Sequence, residues 1–94
     1  MDRTVLVNTS SYKIIKANAK SGESMPRHYV TGEGCVIVRK GRGYIAFDDG
    51  QRLEAAEGTV IMIPAHRPHQ LFITEAFEAF IVLPASADIV FEEK

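Results

Sequence analysis

Three histidines carry most of the chemistry open to this chain, and they fall in two segments: Gly22-Glu23-Ser24-Met25-Pro26-Arg27-His28 and Gly58-Thr59-Val60-Ile61-Met62-Ile63-Pro64-Ala65-His66-Arg67-Pro68-His69. Imidazole both binds divalent transition ions and exchanges a proton near neutral pH. Each segment is a turn feeding a strand-like run. If the strands between them close into a barrel, His28 and His69 meet in its interior and form one candidate metal site from two distant positions.

Other catalytic constellations are absent from the pattern. No serine lies in a nucleophile motif, no glycine-rich loop opens a helix to cradle phosphate, and no two carboxylates are placed for glycosidase chemistry. Asp48-Asp49 reads as a turn before it reads as a calcium site.

The chain's 94 residues suit one small domain, residues 1–94, with no room for a second core. The formal net charge is −1 and no lysine- or arginine-rich block occurs, so neither nucleic acid nor an anionic membrane is an expected partner. A small-molecule ligand or substrate is. The lone Cys35 has no internal disulfide partner. It lies in an apolar run where a buried, inert thiol is expected. With no leader or spanning apolar run in the sequence, a cytoplasmic location is expected.

The elements that must position the histidines are strands. Apolar and β-branched runs alternate with glycine, proline and acidic punctuation, and no stretch sustains a 3.6-residue period. The pattern predicts an all-β chain with strands at Thr4–Val7, Tyr12–Ala19, Arg27–Val30, Cys35–Lys40, Tyr44–Phe47, Arg52–Ala55, Val60–Ile63, His69–Thr74, Phe77–Leu83 and Asp88–Phe91. Asp48-Asp49-Gly50 predicts a tight antiparallel hairpin. Lys40-Gly41-Arg42-Gly43 reads as a connection whose cations stay in solvent. Glu92-Glu93-Lys94 reads as a solvated end.

Val60-Ile61-Met62-Ile63 and Phe80-Ile81-Val82-Leu83 are apolar at every position, whereas a sheet with one wet face alternates apolar with polar. Both faces are therefore expected to be covered. In a chain this short the second cover is another sheet layer or another subunit, so a homodimer is expected, with the N-terminal strand a candidate for exchange or edge pairing.

The two histidine segments resemble the paired motifs of the cupin superfamily. Its first motif runs Gly, five residues, His-x-His, three or four residues, Glu, six residues, Gly; Gly22, His28 and Gly41 take the glycine, first-histidine and last-glycine places. Its second runs Gly, five residues, Pro-x-Gly, two residues, His, three residues, Asn; Gly58, Pro64 and His69 match. The resemblance spans Gly22 to Ile73, about half of the chain. It implies a small antiparallel β-barrel of the jelly-roll or double-stranded β-helix type, in agreement with the strand count.

In metal-binding cupins two histidines and a glutamate of the first motif join the histidine of the second around one divalent ion. Here Val30 stands in place of the second histidine, Gly34 in place of the glutamate and Ile73 in place of the asparagine. His28 and His69 remain as candidate ligands. Glu33 can join them only if a glycine-assisted bulge reverses its face, and His66, in the turn where the family has glycine, is a minor candidate. The ion would be zinc, iron, manganese or nickel, since imidazole suits each. With no carboxylate to offset its charge, it would favour an anionic chelating ligand.

Alternation from these anchors sketches a lining of Val30, Val36, Val38, Leu71 and Ile73, with Met62, Phe47 and Phe80 as further candidates and Tyr44 at the rim, each of these more simply read as core. Two functions stay open. One is a metal-dependent enzyme of the oxidation, isomerisation or lyase type; the other is a non-catalytic cupin, a small-ligand sensor or accessory protein whose metal site is lost. No helix-turn-helix accompanies the barrel, which argues against direct control of transcription. A barrel filled by its own side chains is a third, purely structural outcome.

Overall fold

A strand turns successive side chains to opposite faces, and burial along this chain follows that rule. The computed structural model describes residues 1–92, which form eight strands and no helix: β1 Asp2–Asn8, β2 Tyr12–Ala19, β3 Ser24–Val30, β4 Gly34–Phe47, β5 Arg52–Ala56, β6 Val60–Ile63, β7 His69–Pro84 and β8 Ile89–Phe91. Among the described residues no helix is long and apolar enough to cross a membrane. Of the expected solvated end, Glu92 is exposed, while Glu93 and Lys94 lie outside the described residues.

The spine is β7. One of its edges pairs antiparallel with β3 from His69 to Phe72 and with β2 from Phe77 to Pro84; the other pairs with β4 along nearly its whole length. In turn β4 pairs with β6 through Gly34–Ile37 and with β5 through Arg42–Ala46. One layer therefore reads β1-β2-β7-β3-β8, and β4 carries β5 and β6 on its far side. The result is a curled antiparallel sheet forming a small β-barrel, as expected for the class. Asp48-Asp49-Gly50 makes the β4–β5 hairpin, with the Gly50 N–H donating to Phe47 O at 3.1 Å.

Two expected breaks are not breaks. Lys40-Gly41-Arg42-Gly43 is not a connection but the bent middle of β4, and Thr74–Phe77 lies within an unbroken β7. Register shifts between Val38 and Gly43 bend the two long strands together around the barrel. Gly41 is required there: its φ is +82°, and a Cβ would lie 1.9 Å from Ala76 O. The glycines do relieve a steric conflict, with a paired strand rather than within a turn. Lys40 and Arg42 are exposed, as expected.

Inside, Val38, Ile45, Phe47, Ile61, Ile63, Ile73 and Phe77 pack into one cluster, with Ala55 and Ala79 letting the layers approach closely. Ile15, Val30, Leu83 and Ala87 form a second, smaller cluster.

Candidate functional site

His28 and His69 are direct cross-strand partners on β3 and β7. The neighbouring strands extend that pairing into a row, with Phe91 of β8 opposite His28 and Phe47 of β4 opposite His69. Ring centroids along the row are 5.4 Å (Phe91–His28), 4.2 Å (His28–His69, planes at 61°) and 5.8 Å (His69–Phe47). The imidazoles are thus held edge to face between two phenyl rings, and both residues are buried, His28 4 % and His69 6 % exposed.

Backbone hydrogen bonds fix the ring nitrogens. His28 Nδ1 lies 2.7 Å from Pro26 O and His69 Nδ1 2.8 Å from Arg67 O. A carbonyl only accepts, so each Nδ1 carries the proton and donates it. Burial pushes the His28 pKa down to about 4; the Pro26 bond opposes this, and the neighbouring His69 and Arg3 add to it. Burial lowers His69 as well, against the Arg67 carbonyl bond, and the Arg67 charge adds to the fall. Both rings are neutral at pH 7, and each presents a bare Nε2 lone pair. Among the described residues no sealed side-chain nitrogen or oxygen lacks a partner, so these unbonded lone pairs reach free space.

That space is a cavity of about 60 Å³ with nearly all-apolar walls, enough for roughly four waters or a short alkyl chain. Val30, Val36 and Leu71 line it with the histidines. Ala17, Met25, Ile45 and Ala55, then Phe77, Ala79, Ile81, Leu83 and Ile89, complete the walls, and Met1 and Arg3 of the first strand region close them.

Several expected lining residues lie elsewhere. Val38, Phe47 and Ile73 are buried in the core behind the cavity wall. Tyr44, Met62 and Phe80 point outward: Tyr44 stacks on Phe72 beneath Arg52, Phe80 lies under Arg39, and Met62 is 51 % exposed. Each is one residue out of phase with a true wall or core position, Ile45, Ile61 and Ile63, or Ala79 and Ile81. Runs that are apolar on both faces carry no alternation to set the phase. Cys35 is half-buried on that outer face, not in the interior.

Glu33 is exposed beside an outer groove, and no bulge turns it inward. His66 is exposed at the β6–β7 turn with φ +63°, the left-handed conformation for which the family pattern supplies glycine. Its ring lies 5.9 Å from Tyr29 and outside the cavity. Among the described residues no three His, Cys, Asp or Glu side chains come together to hold an ion.

The places of the absent ligands are filled, not merely vacated. Val30 lies in the cavity wall, Ile73 is 3 % exposed in the core, and a Cβ on Gly34 would meet Leu83 Cδ2 at 2.9 Å. Leu83 occupies the direction a glutamate would take. Two imidazoles with oriented Nε2 atoms are half of a metal site, but a resident catalytic ion takes three protein donors, and this donor set does not fit one.

The fold recurs widely among solved structures. A conserved protein of unknown function from Streptococcus pyogenes, SPY1581, is 28 % identical over 98 % of this chain and 75 % of its own, with a TM-score of 0.76. The polyketide cyclase RemF from Streptomyces resistomycificus is 19 % identical over 98 % of this chain and 70 % of its own, TM-score 0.84. The DMSP lyase DddQ from Ruegeria pomeroyi DSS-3 is 14 % identical over 96 % of this chain and half of its own, TM-score 0.86. At such identities the two enzymes share the fold alone. No curated protein matches the chain. The cupin domain family model matches residues 17–83, a stretch running from β2 to the end of β7 and holding both buried histidines, and the chain therefore belongs to the cupin superfamily.

Proposed function

We propose that this cupin binds a small, largely apolar molecule in its barrel and orients it by hydrogen bonds donated to Nε2 of His28 and His69. The observation that supports this reading is the tautomer lock: both Nδ1 protons are committed to carbonyls, leaving two acceptors in an otherwise apolar cavity. A ligand hydroxyl or N–H meeting them gains a hydrogen bond in a low-dielectric site, where it discriminates strongly against analogues lacking the donor. A non-catalytic role fits better than acid–base catalysis. With a pKa near 4, His28 has little driving force to take up a proton at neutral pH.

A divalent ion bound at the histidine pair is the competing reading, favoured by those same two lone pairs and opposed by the aliphatic side chains at the other ligand positions. One experiment separates them: long-range ¹H–¹⁵N correlation of the histidine rings, recorded alone, with a panel of small alcohols and amides, and with zinc, iron(II), manganese(II) or nickel(II). The ligand reading expects both rings as the Nδ1–H tautomer and Nε2 shifts on adding a hydrogen-bond donor. Stoichiometric metal in the purified protein, lost in His28→Ala and His69→Ala but retained in His66→Ala, would overturn it in favour of the ion.

A further inference from the structure

One charged side chain, Arg3, is among the residues that line the cavity. Arg3, opposite Ala17 in the β1–β2 register, reaches from an exposed strand to the cavity, and its guanidinium lies over the Phe91 ring at 5.6 Å. Phe91 is the outer ring of the histidine row, so Arg3 joins the two ends of the five-strand layer where the cavity meets solvent. Arg27, Arg39, Arg42 and Arg67 each sit within 4 Å of a carboxylate; among the described residues Arg3 and Arg52 make no ion pair, and of these two only Arg3 lines the cavity, Arg52 lying over Tyr44 on the outer side. A guanidinium stacked on an aromatic face keeps its edge N–H groups free for a carboxylate.

We infer that the ligand is a short carboxylate, its anionic head on Arg3 at the mouth and its apolar tail in the cavity, with any hydroxyl on the tail donating to a histidine Nε2. This rests on the cavity being a ligand site and names the ligand class. Four probes of one length test it by titration calorimetry: butyrate, 3-hydroxybutyrate, 1-butanol and butylammonium. Wild type should rank them 3-hydroxybutyrate, butyrate, 1-butanol, with butylammonium silent. Arg3→Gln should weaken both carboxylates about tenfold while leaving 1-butanol unchanged, and Arg3→Lys should recover part of the loss. If butyrate binds no better than 1-butanol, or Arg3→Gln leaves it unchanged, the carboxylate assignment falls and the cavity reading stands. If none of the four binds, both fall.

A second observation is independent of the cavity. The outer face of the wall formed by β2, β7, β4 and β6 is apolar across all four strands, because Tyr12, Val82, Ile37, Phe80, Val60 and Met62 all face away from the core. With Val60 62 %, Met62 51 %, Tyr12 46 % and Ile37 36 % exposed, the patch offers on the order of 500 Å² of apolar surface, toward the upper end of what a monomer leaves in water and over half of the ~800 Å² each partner gives to a standard interface. It also holds a shallow groove lined by Tyr12, Cys35, Met62 and Val82, and Val60 is exposed on the same face. A two-fold interface joins the same patch of both subunits, so one apolar face that carries both an exposed side chain and a groove can meet its own copy.

The geometry points to a second copy of this chain as the occupant, packed face to face. In sedimentation velocity at roughly 100 µM the wild type should run as a dimer, and Val60→Asp/Met62→Glu as a monomer with an unchanged β-sheet circular dichroism spectrum. Thr4→Pro, which blocks pairing at the β1 edge, should leave the dimer intact. A monomeric wild type overturns the proposal, and so does a dimer broken by Thr4→Pro but not by the face variant.

Discussion

The two faces of the β4–β7 wall are built from neighbouring residues of the same strands and differ in what polar chemistry they keep. The inner face pairs Val36 with Ile81 and Val38 with Ala79, then reaches Phe47 and His69; its polar side chain among the described residues is the His69 imidazole, whose one proton is already committed. The outer face pairs Cys35 with Val82 and Ile37 with Phe80, and its charges, Arg39, Lys16 and Glu78, are tied to one another at its border. Apolar surface alone therefore does not distinguish a ligand site from a docking site. What distinguishes them is an oriented, unsatisfied acceptor inside and its absence outside.

The largest expected effect sets adjacent residues of β4 against each other. Val38 is 2 % exposed and Ile37 36 %. Val38→Asp places a carboxylate in a dry core and is expected to cost more than about 4 kcal/mol, leaving an unfolded chain. Ile37→Asp should leave the monomer fold within about 1 kcal/mol and act on self-association instead. Urea denaturation of the two variants reads this directly; equal losses would mean that the outer face is as much core as the inner one.

A smaller contrast follows on β7. Leu83→Ala should cost about 2–4 kcal/mol, because Leu83 is 2 % exposed and its removal enlarges the cavity. Val82→Ala, on the outer side, should cost under about 1 kcal/mol. The Leu83 variant also clears the space above Gly34. Val30→His/Gly34→Glu/Leu83→Ala should therefore gain divalent-metal affinity over the wild type by calorimetry, at a cost in stability. Failure to gain any would mean that more than Leu83 blocks the third donor.

Next comes pH. A His28 ring with a folded pKa near 4, against an ordinary 6.5, leaves the unfolded chain holding more protons between those values. Stability is whole above about pH 6.5 and falls as pH drops toward 4, by on the order of 2 kcal/mol once the shift is discounted for water reaching the ring through the cavity. His69 acts in the same direction. His28→Phe should flatten the slope in denaturation midpoints from pH 7 to 4, and a slope unchanged by it would place the titration elsewhere.

Much of the barrel was readable because its signals are local. Asp49-Gly50 marks its hairpin by its own turn chemistry, and the spacing of Gly22, His28, Gly58, Pro64 and His69 carries the family pattern. What escaped depends on a partner strand. Gly41 and Gly43 look like a loop until Ala76 O and Phe72 O are seen 1.9 and 2.4 Å from where their Cβ atoms would be. Which face Met62 and Phe80 take is not legible locally, because apolar neighbours on both sides erase the two-residue period. Arg3 has no local mark at all: it reaches the cavity only through strand pairing with Ala17 and closure against Phe91, a contact 88 residues away in sequence.

The smallest expected effect tests the comparison most finely, because it changes shape hardly at all. Threonine replaces one methyl of valine with a hydroxyl, so Val→Thr measures the polarity a site accepts. At Val38 the hydroxyl is buried among aliphatic neighbours and should cost about 1–3 kcal/mol. At Val60, 62 % exposed, it should cost under about 0.5 kcal/mol when the chain is dilute enough to be monomeric. Raising the protein concentration changes only the second answer: a dimer stabilises the wild-type fold by mass action, and a hydroxyl at the interface weakens that gain, so the gap between wild type and Val60→Thr should widen with concentration. A gap that stays at zero from dilute to concentrated solution would leave Val60 facing water in the native state. A gap as large as that of Val38→Thr even at high dilution would mean that the two faces belong to one core and the fold has no stable monomer.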